Sequence, residues 1–360
     1  MRADRRVLPL SSLKASGLTE PGLTEPGLTL PPIRPGRNED GPGLIDLIRT
    51  CWAEYEDCVL DVDREAPELR RLASHVTDRG GSLFVADGGA GMVTVAPGPD
   101  GAPRGTWTLG RMYVLPAYRG AGLAEALMIR AEAAVLDGGG DRILLHSDSR
   151  FHRAHAFYEK RSFLRRYPAA VLDDLASTVD LPFAKPLKGL VVEQAGAAGA
   201  YSAVRRLADI LVACVANGAS VSFVAPLDPG TARAFWRRTA DRVAAGRVRL
   251  FVAWLDGVLA GTVTLDLDTK PNQRHRADIA KLLVDPARRR RGVAGALMAR
   301  AEAEAWSLGR SLLVLDTQAG SGGERLYRNR GWTAAGGIPD YSRDAAGAGE
   351  GMTLFYKERP

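Results

Sequence analysis

The chain is poor in cysteine, since its 360 residues include only Cys51, Cys58 and Cys214. An odd number of cysteines without paired spacing excludes a disulfide framework and lacks the pattern of a zinc site, so we expect no metal. Sparse, unpaired cysteines fit a reducing compartment. We therefore predict a cytoplasmic protein.

Long apolar runs are also missing. Even "SLLVLDT" reaches an aspartate after a few residues, whereas a membrane-spanning helix needs about 20 apolar residues. The opening stretch "MRADRRVLPLSSLKAS" is rich in arginine but lacks the apolar core and cleavage site of a secretory signal. We expect a soluble protein without a membrane partner.

The charge balance is modest, with 48 basic and 42 acidic residues and a net charge of +6. This surplus is compatible with a polyanionic partner, either DNA or a small phosphorylated cofactor. Composition does not separate the two.

The N-terminal residues repeat a short unit, "GLTEPGLTEPGLTLPP", that is rich in glycine and proline. Few of its side chains can build a core. We predict a flexible leader over residues 1–30.

The chain is similar to itself at a distance of 170 residues. Residues 114–133 and 284–303 are identical at 13 of 20 positions without a gap. The match continues at an offset of 169, where "FYEKRSF" aligns with "LYRNRGW". A repeat of this length indicates two copies of one domain. We predict domains over residues 31–187 and 190–360.

Each copy alternates strand and helix patterns. In the second copy, "VRLFVAWLDGVLAGTVTLDL" predicts two strands joined by a turn at Asp256-Gly257. A strand, a long helix ending before Gly309, another strand and a short helix follow. The expected fold class is α/β, with two tandem domains that each have a mixed, mostly antiparallel central sheet flanked by helices.

Both copies carry the pattern Arg-x-x-Gly-x-Ala between a strand and a helix. We call residues 119–124 the first glycine loop and residues 289–294 the second glycine loop. A glycine at a helix start leaves unpaired N–H groups open to a phosphate. An ordinary solvated helix start is the alternative. The second loop lacks the fuller glycine pattern of a dinucleotide fold, which excludes a nicotinamide site.

In this arrangement, and with Tyr158 and Tyr327 following, the sequence resembles the GNAT N-acetyltransferase superfamily over nearly all of both copies. The second copy, with "DTKPNQRHRADIAKLLVDPARRRRGVAGALM", "LLVLDTQAGSGGERLYRNRGW", "IPDY" and "FYK", is similar to the tabtoxin-resistance acetyltransferase group. The first copy departs from that group between its strand pair and its loop.

The resemblance implies acetyl-CoA as the cofactor. Its pyrophosphate would lie on the glycine-loop amides, and its pantetheine arm would lie along a strand that separates from its neighbour and offers free N–H groups to the thioester carbonyl. The expected cofactor-binding residues are Leu282, Leu283, Val284, Arg289, Arg290, Arg291, Gly292, Val293 and Ala294, with Met112, Tyr113, Val114, Arg119, Gly120, Ala121, Gly122, Leu123 and Ala124 in the first copy.

Three residues of the second copy are catalytic candidates. The resemblance places acidic residues at Asp278 and Asp316, which would take a proton from the amine directly or through water. Tyr327 is the candidate acid, because a phenol with a pKa of about 10 can share its proton with a thiolate whose pKa is about 8.5. The ordinary alternatives are a core aromatic for Tyr327, a turn cap for Asp316 and an ion pair with Arg276 for Asp278.

The first copy has Thr108 at the position of Asp278, and threonine cannot act as a carboxylate base. Asp148 and Tyr158 remain as catalytic candidates, near His146 and His155. Either this copy uses a rearranged base, His146 or Asp148, or it binds acetyl-CoA without turnover.

Substrate contacts are expected from the variable loops of the second copy. The candidates are Phe223, Asn272, His275 and Tyr341, for each of which loop packing is the ordinary alternative.

The function we expect is N-acetylation of a small primary amine, amino-acid-like or antibiotic-like, by direct transfer through a ternary complex, with the second copy favoured as the catalytic one. The alternative is an acetyl-CoA-binding sensor or a nucleic-acid-binding protein without turnover. The chain shows no nucleic-acid-binding signature, so we expect no nucleic-acid partner. The sequence leaves the oligomeric state open.

Overall fold

The structure, a computed structural model, describes residues 6–7 and 29–360. The predicted leader falls almost entirely outside the described residues. The chain divides into two compact units: the first contains residues up to 156 together with residues 166–187, and the second contains residues 157–165 and 188–360. The predicted boundaries at residues 187 and 190 stay a prediction.

The first half of the described chain alternates strands and helices. In order they are β1 (Arg6–Val7), β2 (Ile33–Pro35), α1 (Gly41–Trp52), α2 (Leu72–Thr77), β3 (Ser82–Ala86), β4 (Gly91–Pro97), β5 (Thr106–Val114), α3 (Leu123–Asp137), β6 (Arg142–Asp148), α4 (His152–Lys160), β7 (Leu164–Arg165), β8 (Ala170–Val171) and β9 (Val179–Pro186).

The second half repeats the order from β2 to α4 and then ends on two strands. It contains β10 (Leu190–Ala195), α5 (Ala197–Ala216), α6 (Pro229–Ala244), β11 (Val248–Leu255), β12 (Val258–Asp266), β13 (Arg276–Val284), α7 (Val293–Ser307), β14 (Leu312–Gln318), α8 (Gly322–Asn329), β15 (Thr333–Arg343) and β16 (Gly349–Glu358).

Each unit is built on one mixed sheet. The strand order is β1-β8-β9-β6-β5-β4-β3-β2 in the first unit and β10-β11-β12-β13-β14-β16-β15 in the second. The central pairs β5–β6 and β13–β14 are parallel, and the neighbouring pairs are antiparallel. The predicted α/β class, with two sheets flanked by helices, is confirmed.

The strand pair of the second unit turns where the sequence predicts it. Asp256 and Gly257 both have positive φ, 49° and 77°, as a two-residue hairpin turn with the right twist requires. The turn joins β11 to β12, with Leu255 opposite Val258, and the register shifts between Ala253 and Trp254.

Helices cover both faces of the second sheet. The α5 and α6 side buries a cluster that includes Leu207, Trp236 and Trp254, and the α7 side buries another that includes Leu297 and Phe355. In the first unit, α1 and α2 pack their apolar side chains against β3 and β4. Within residues 29–360, no helix is long and apolar enough to cross a membrane.

Candidate active site

The centre of the second sheet opens where β13 and β14 stop pairing. Their parallel register runs from Arg276 beside Leu312 to Asp278 beside Val314 and ends there, although both strands continue. The part of β13 that continues past Asp278 borders the cleft described below. The separation expected from the resemblance is therefore present.

A β-bulge lies in the open part of β13. The register against β12 shifts between Thr262 and Thr264, and Lys281 has a positive φ of 52°. A bulge bends its strand and redirects its side chains. The hydroxyl of Thr264 donates to the carbonyl of Ala280 at 2.8 Å, which fixes the backbone at this bend.

The second glycine loop joins β13 to α7. Arg290 and Gly292 both have positive φ, 64° and 83°, and no side chain caps the helix at Gly292. A Cβ at Gly292 would come no closer than 3.7 Å to its nearest neighbour, Leu190. The start of α7 therefore has an open approach to its first amides, which together with the helix dipole form an anion site.

The consecutive arginines of this loop make different contacts. Arg289 is exposed, lies on the wall of the cleft described next, and donates to the carbonyl of Val284 at 3.4 Å. Arg291 pairs with Asp256 at 2.8 Å. Arg290 lies on the wall of the cleft described next. The basic run is thus partly structural.

A cleft of about 950 Å³ collects these elements in the second unit. The sequence-predicted residues on its wall are residues 282–284, Arg289, Arg290, residues 292–294, Asp316 and Tyr327. These residues come from a strand end, a glycine loop, a neighbouring strand and a short helix. The cleft therefore brings together most of the residues that the sequence predicts for cofactor binding and catalysis in the second copy, and their roles stay a prediction.

Tyr327 is buried in α8, with 7% of its surface exposed, and packs against Trp332 and Phe355. Burial raises its pKa, and the negative charge of Asp316 raises it further. The phenol therefore stays protonated through neutral pH. Tyr327 is both a core aromatic and a residue of the cleft wall.

The two candidate carboxylates differ in their surroundings. Asp316 is exposed on β14, and its charge acts on both Tyr327 and Lys281. Asp278 forms an ion pair with Arg276 at 3.1 Å and is not among the residues that line the described cleft. Burial raises the pKa of Asp278, and Arg276 opposes the rise.

The four substrate candidates lie elsewhere in the second unit. Phe223 packs edge-on against Phe235 at 5.3 Å, beside the α5–α6 cluster. Asn272 and His275 are exposed in the β12–β13 connection, and Tyr341 is 55% exposed on β15. None of the four is among the residues lining the described cleft.

The first unit repeats the loop geometry. Gly120 and Gly122 have φ of 75° and 98°, and α3 begins after Gly122 without a side-chain cap. Arg119 donates to the carbonyl of Val114 at 3.1 Å and pairs with Glu54. Ala121, Leu123 and Ala124 belong to this turn and helix start, while Met112, Tyr113 and Val114 end β5. The backbone is thus the same in both loops although glycine at 120 becomes arginine at 290.

The candidate carboxylate base of the first unit, Asp148, is restrained. The carboxylate of Asp148 binds the Arg150 side chain, with two contacts of 3.0 Å, and also accepts from the Arg150 amide at 2.9 Å. His155 is buried and lies 2.9 Å from the carbonyl of Asp148. Tyr158 is buried against Phe163 in the segment grouped with the second unit.

Two features of both halves escaped the sequence analysis. Cys51 and Cys214 each donate to the carbonyl that ends the central strand, at 3.5 and 3.3 Å, and each contacts the loop arginine. These cysteines are 163 residues apart, so the 170-residue offset does not align them. Gly91 and Gly261, which do align, let the following helix pack closely on its sheet. The 170-residue offset of the repeat could have identified these two glycines from the sequence alone.

Comparison with known proteins decides the family. The model of the Acetyltransferase (GNAT) family matches residues 43–163 and 219–332, which together make up more than half of the chain. The chain belongs to the GNAT acetyltransferase family. Both halves of this GNAT protein carry the family pattern, as the internal repeat predicts.

Similar proteins are named as N-acetyltransferases. Over 93 residues the chain is 33% identical to uncharacterized N-acetyltransferases of Mycobacterium bovis and Mycobacterium tuberculosis, a match that covers 26% of this chain and 59% of each relative. The chain thus spans 59% of the length of these curated relatives.

Solved structures resemble single halves of the chain. An N-acetyltransferase from Staphylococcus aureus Mu50 is 18% identical, with a TM-score of 0.41, over 48% of this chain and 99% of its own. The yncA protein of Salmonella typhimurium, solved with its cofactor acetyl-CoA, is 17% identical, with a TM-score of 0.40, over 48% and 94%.

Proposed function

We propose that this GNAT protein transfers an acetyl group from acetyl-CoA to a small primary amine, and that its second unit performs the transfer. The observation that carries the proposal is the cleft in which the open start of α7, the separated end of β13, Asp316 and Tyr327 lie together. The acceptor we propose is amino-acid-like or antibiotic-like, a proposal that goes with the resemblance of the second copy to the tabtoxin-resistance group.

The residues present fit acetyl-CoA. The amides of residues 292–294 are open to a diphosphate, because Gly292 carries no side chain and no cap occupies the helix start. The unpaired edge of β13 at residues 282–284 would hold the pantetheine arm. When bound, acetyl-CoA supplies a thioester carbonyl that an amine can attack.

Two side chains would handle the protons. Asp316 is an exposed carboxylate on the cleft wall and would accept a proton from the amine, directly or through water. Tyr327 would donate a hydrogen bond to the departing sulfur. Because burial and Asp316 raise the pKa of Tyr327, it keeps its proton and stabilises the sulfur as a donor.

The second unit is favoured as the site of transfer because its candidate base is accessible. Asp316 lies exposed on the cleft wall, whereas Asp148 of the first unit is held by Arg150. The first unit also lacks a carboxylate at Thr108. Transfer would be direct, from a complex that holds both substrates.

The test is thiol release from acetyl-CoA with a panel of primary amines. The substitution Tyr327→Phe removes only the hydroxyl, so we expect kcat to fall on the order of 10²-fold, the contribution of one general acid or oxyanion donor. The matched control is Tyr201→Phe on α5, where the tyrosine is exposed and bonded to Asp241. An unchanged kcat in Tyr327→Phe would show that Tyr327 does not assist the departing sulfur. Binding of acetyl-CoA without thiol release from any amine would favour the alternative, an acetyl-CoA-binding sensor.

A further inference from the structure

The strand register identifies which residue of the first unit replaces Asp316. Thr108 pairs with Leu144 in β5–β6, and Asp278 pairs with Val314 in β13–β14. Strands β5 and β6 therefore align with β13 and β14 at the same offset of 170 residues. Two residues further along, His146 therefore occupies the position of Asp316. Asp148 corresponds instead to Gln318.

His146 is paired with a buried carboxylate. Its Nδ1 lies 2.8 Å from Oδ2 of Asp180 on β9, and the side chains of His146 and Asp180 are 30% and 9% exposed. A neutral imidazole that donates Nδ1–H to a carboxylate keeps Nε2 free as a proton acceptor. Asp180 thus fixes the orientation and the tautomer of His146.

The same unit has the other parts of a transfer site. The pairing of β5 with β6 ends at Leu109 and Leu145 although both strands continue. The first glycine loop leaves α3 uncapped at Gly122, as the second loop does at Gly292. His146 therefore lies in β6 just beyond the last pair, where the two strands stop pairing.

We propose that the first unit is a second acetyl-transfer site, in which His146 is the general base and Asp180 is the residue that positions it. The proposal rests on the proposed function for its acetyl donor. Nε2 of His146 takes the proton of the attacking amine as the C–N bond forms and the thioester C–S bond breaks. The proton then leaves on the sulfur, so that an amide and a free thiol are the products.

The first test needs no cofactor. In the full chain labelled with ¹⁵N-histidine, five histidines contribute signals, and His146→Ala assigns one of them. We expect His146 to carry its proton on Nδ1, and Asp180→Asn to change this tautomer. A His146 protonated on Nε2 in the wild-type chain would overturn the proposed role.

The second test uses the full chain with its second cleft silenced by Asp316→Asn and Tyr327→Phe. We expect residual thiol release with an amine that the wild type acetylates, and His146→Ala should lower it on the order of 10²-fold. Added imidazole should restore part of the rate, and Asp180→Asn should lower kcat about tenfold or more with the KM for acetyl-CoA unchanged. The control is His75→Ala, an exposed histidine on α2.

The outcomes separate the two proposals. Residual release that His146→Ala leaves unchanged overturns only the role of His146. Absence of residual release in the silenced chain also overturns this inference and leaves transfer in the second unit standing. A wild-type chain that releases no thiol with any amine overturns both.

Discussion

At the residue scale, the two carboxylates of the second unit are distinguished by what surrounds them. Sequence spacing gives Asp278 and Asp316 equal standing, because both are acidic residues on neighbouring strands. The structure places Asp316 on the cleft wall and ties Asp278 to Arg276. The sequence offered the Arg276 ion pair as an alternative, but the place of Asp316 on the cleft wall depends on where β13 and β14 stop pairing, which no local pattern reveals.

We expect Asp316→Asn to lower kcat on the order of 10²-fold, since an amide cannot accept the proton of the amine. Asp278→Asn should lower kcat by less than about tenfold, because its carboxylate is already paired and acts at a distance. Steady-state kinetics with saturating acetyl-CoA measures both. If Asp278→Asn proves the more damaging, the base has been assigned to the wrong strand.

At the element scale, the long helix of each half depends on a glycine in the strand beneath it. A Cβ at Gly261 of β12 would lie 2.7 Å from the carbonyl of Leu283 and 3.1 Å from Val293. Gly91 of β4 lies in the same relation to Tyr113 and Leu127. Close packing of α7 on β12 therefore sets the position of the second glycine loop.

We expect Gly261→Ala to lower the free energy of unfolding by about 1–3 kcal/mol, because the methyl group overpacks the contact between α7 and β12. The control is Gly295→Ala inside α7, where a Cβ meets only Arg330 at 3.8 Å. That change should raise helix stability by about 0.5–1 kcal/mol. Urea denaturation followed by tryptophan fluorescence compares the two, and equal effects would argue against close packing at Gly261.

Elements were predicted from the sequence better than contacts. The hairpin at Asp256-Gly257 follows from local turn chemistry, and the helix after Gly292 follows from its apolar period. The pairing of His146 with Asp180 joins residues 34 positions apart on separate strands, so no short-range pattern indicates it. The contact of Cys214 with Val284 was missed for the same reason.

At the scale of the whole molecule, duplication kept the backbone and changed the chemistry. Both glycine loops have positive φ at the same two positions and an uncapped helix start. Two residues beyond Leu144, strand β6 carries His146, and two residues beyond Val314, strand β14 carries Asp316. One anion-binding bend thus occurs twice, beside two different candidate bases.

We propose that the amides of each glycine loop bind the diphosphate of CoA, and both proposed transfer sites depend on this binding. Calorimetric titration of the full chain with CoA tests it, with Gly292→Asp compared with Gly246→Asp. Both glycines have a positive φ, but only at residue 292 does the added carboxylate lie against the first amides of α7, where it caps them and repels phosphate. We predict two bound CoA per chain for the wild type and for Gly246→Asp, and one for Gly292→Asp. No binding to the wild type, or the same number of CoA bound by the two variants, would contradict the account.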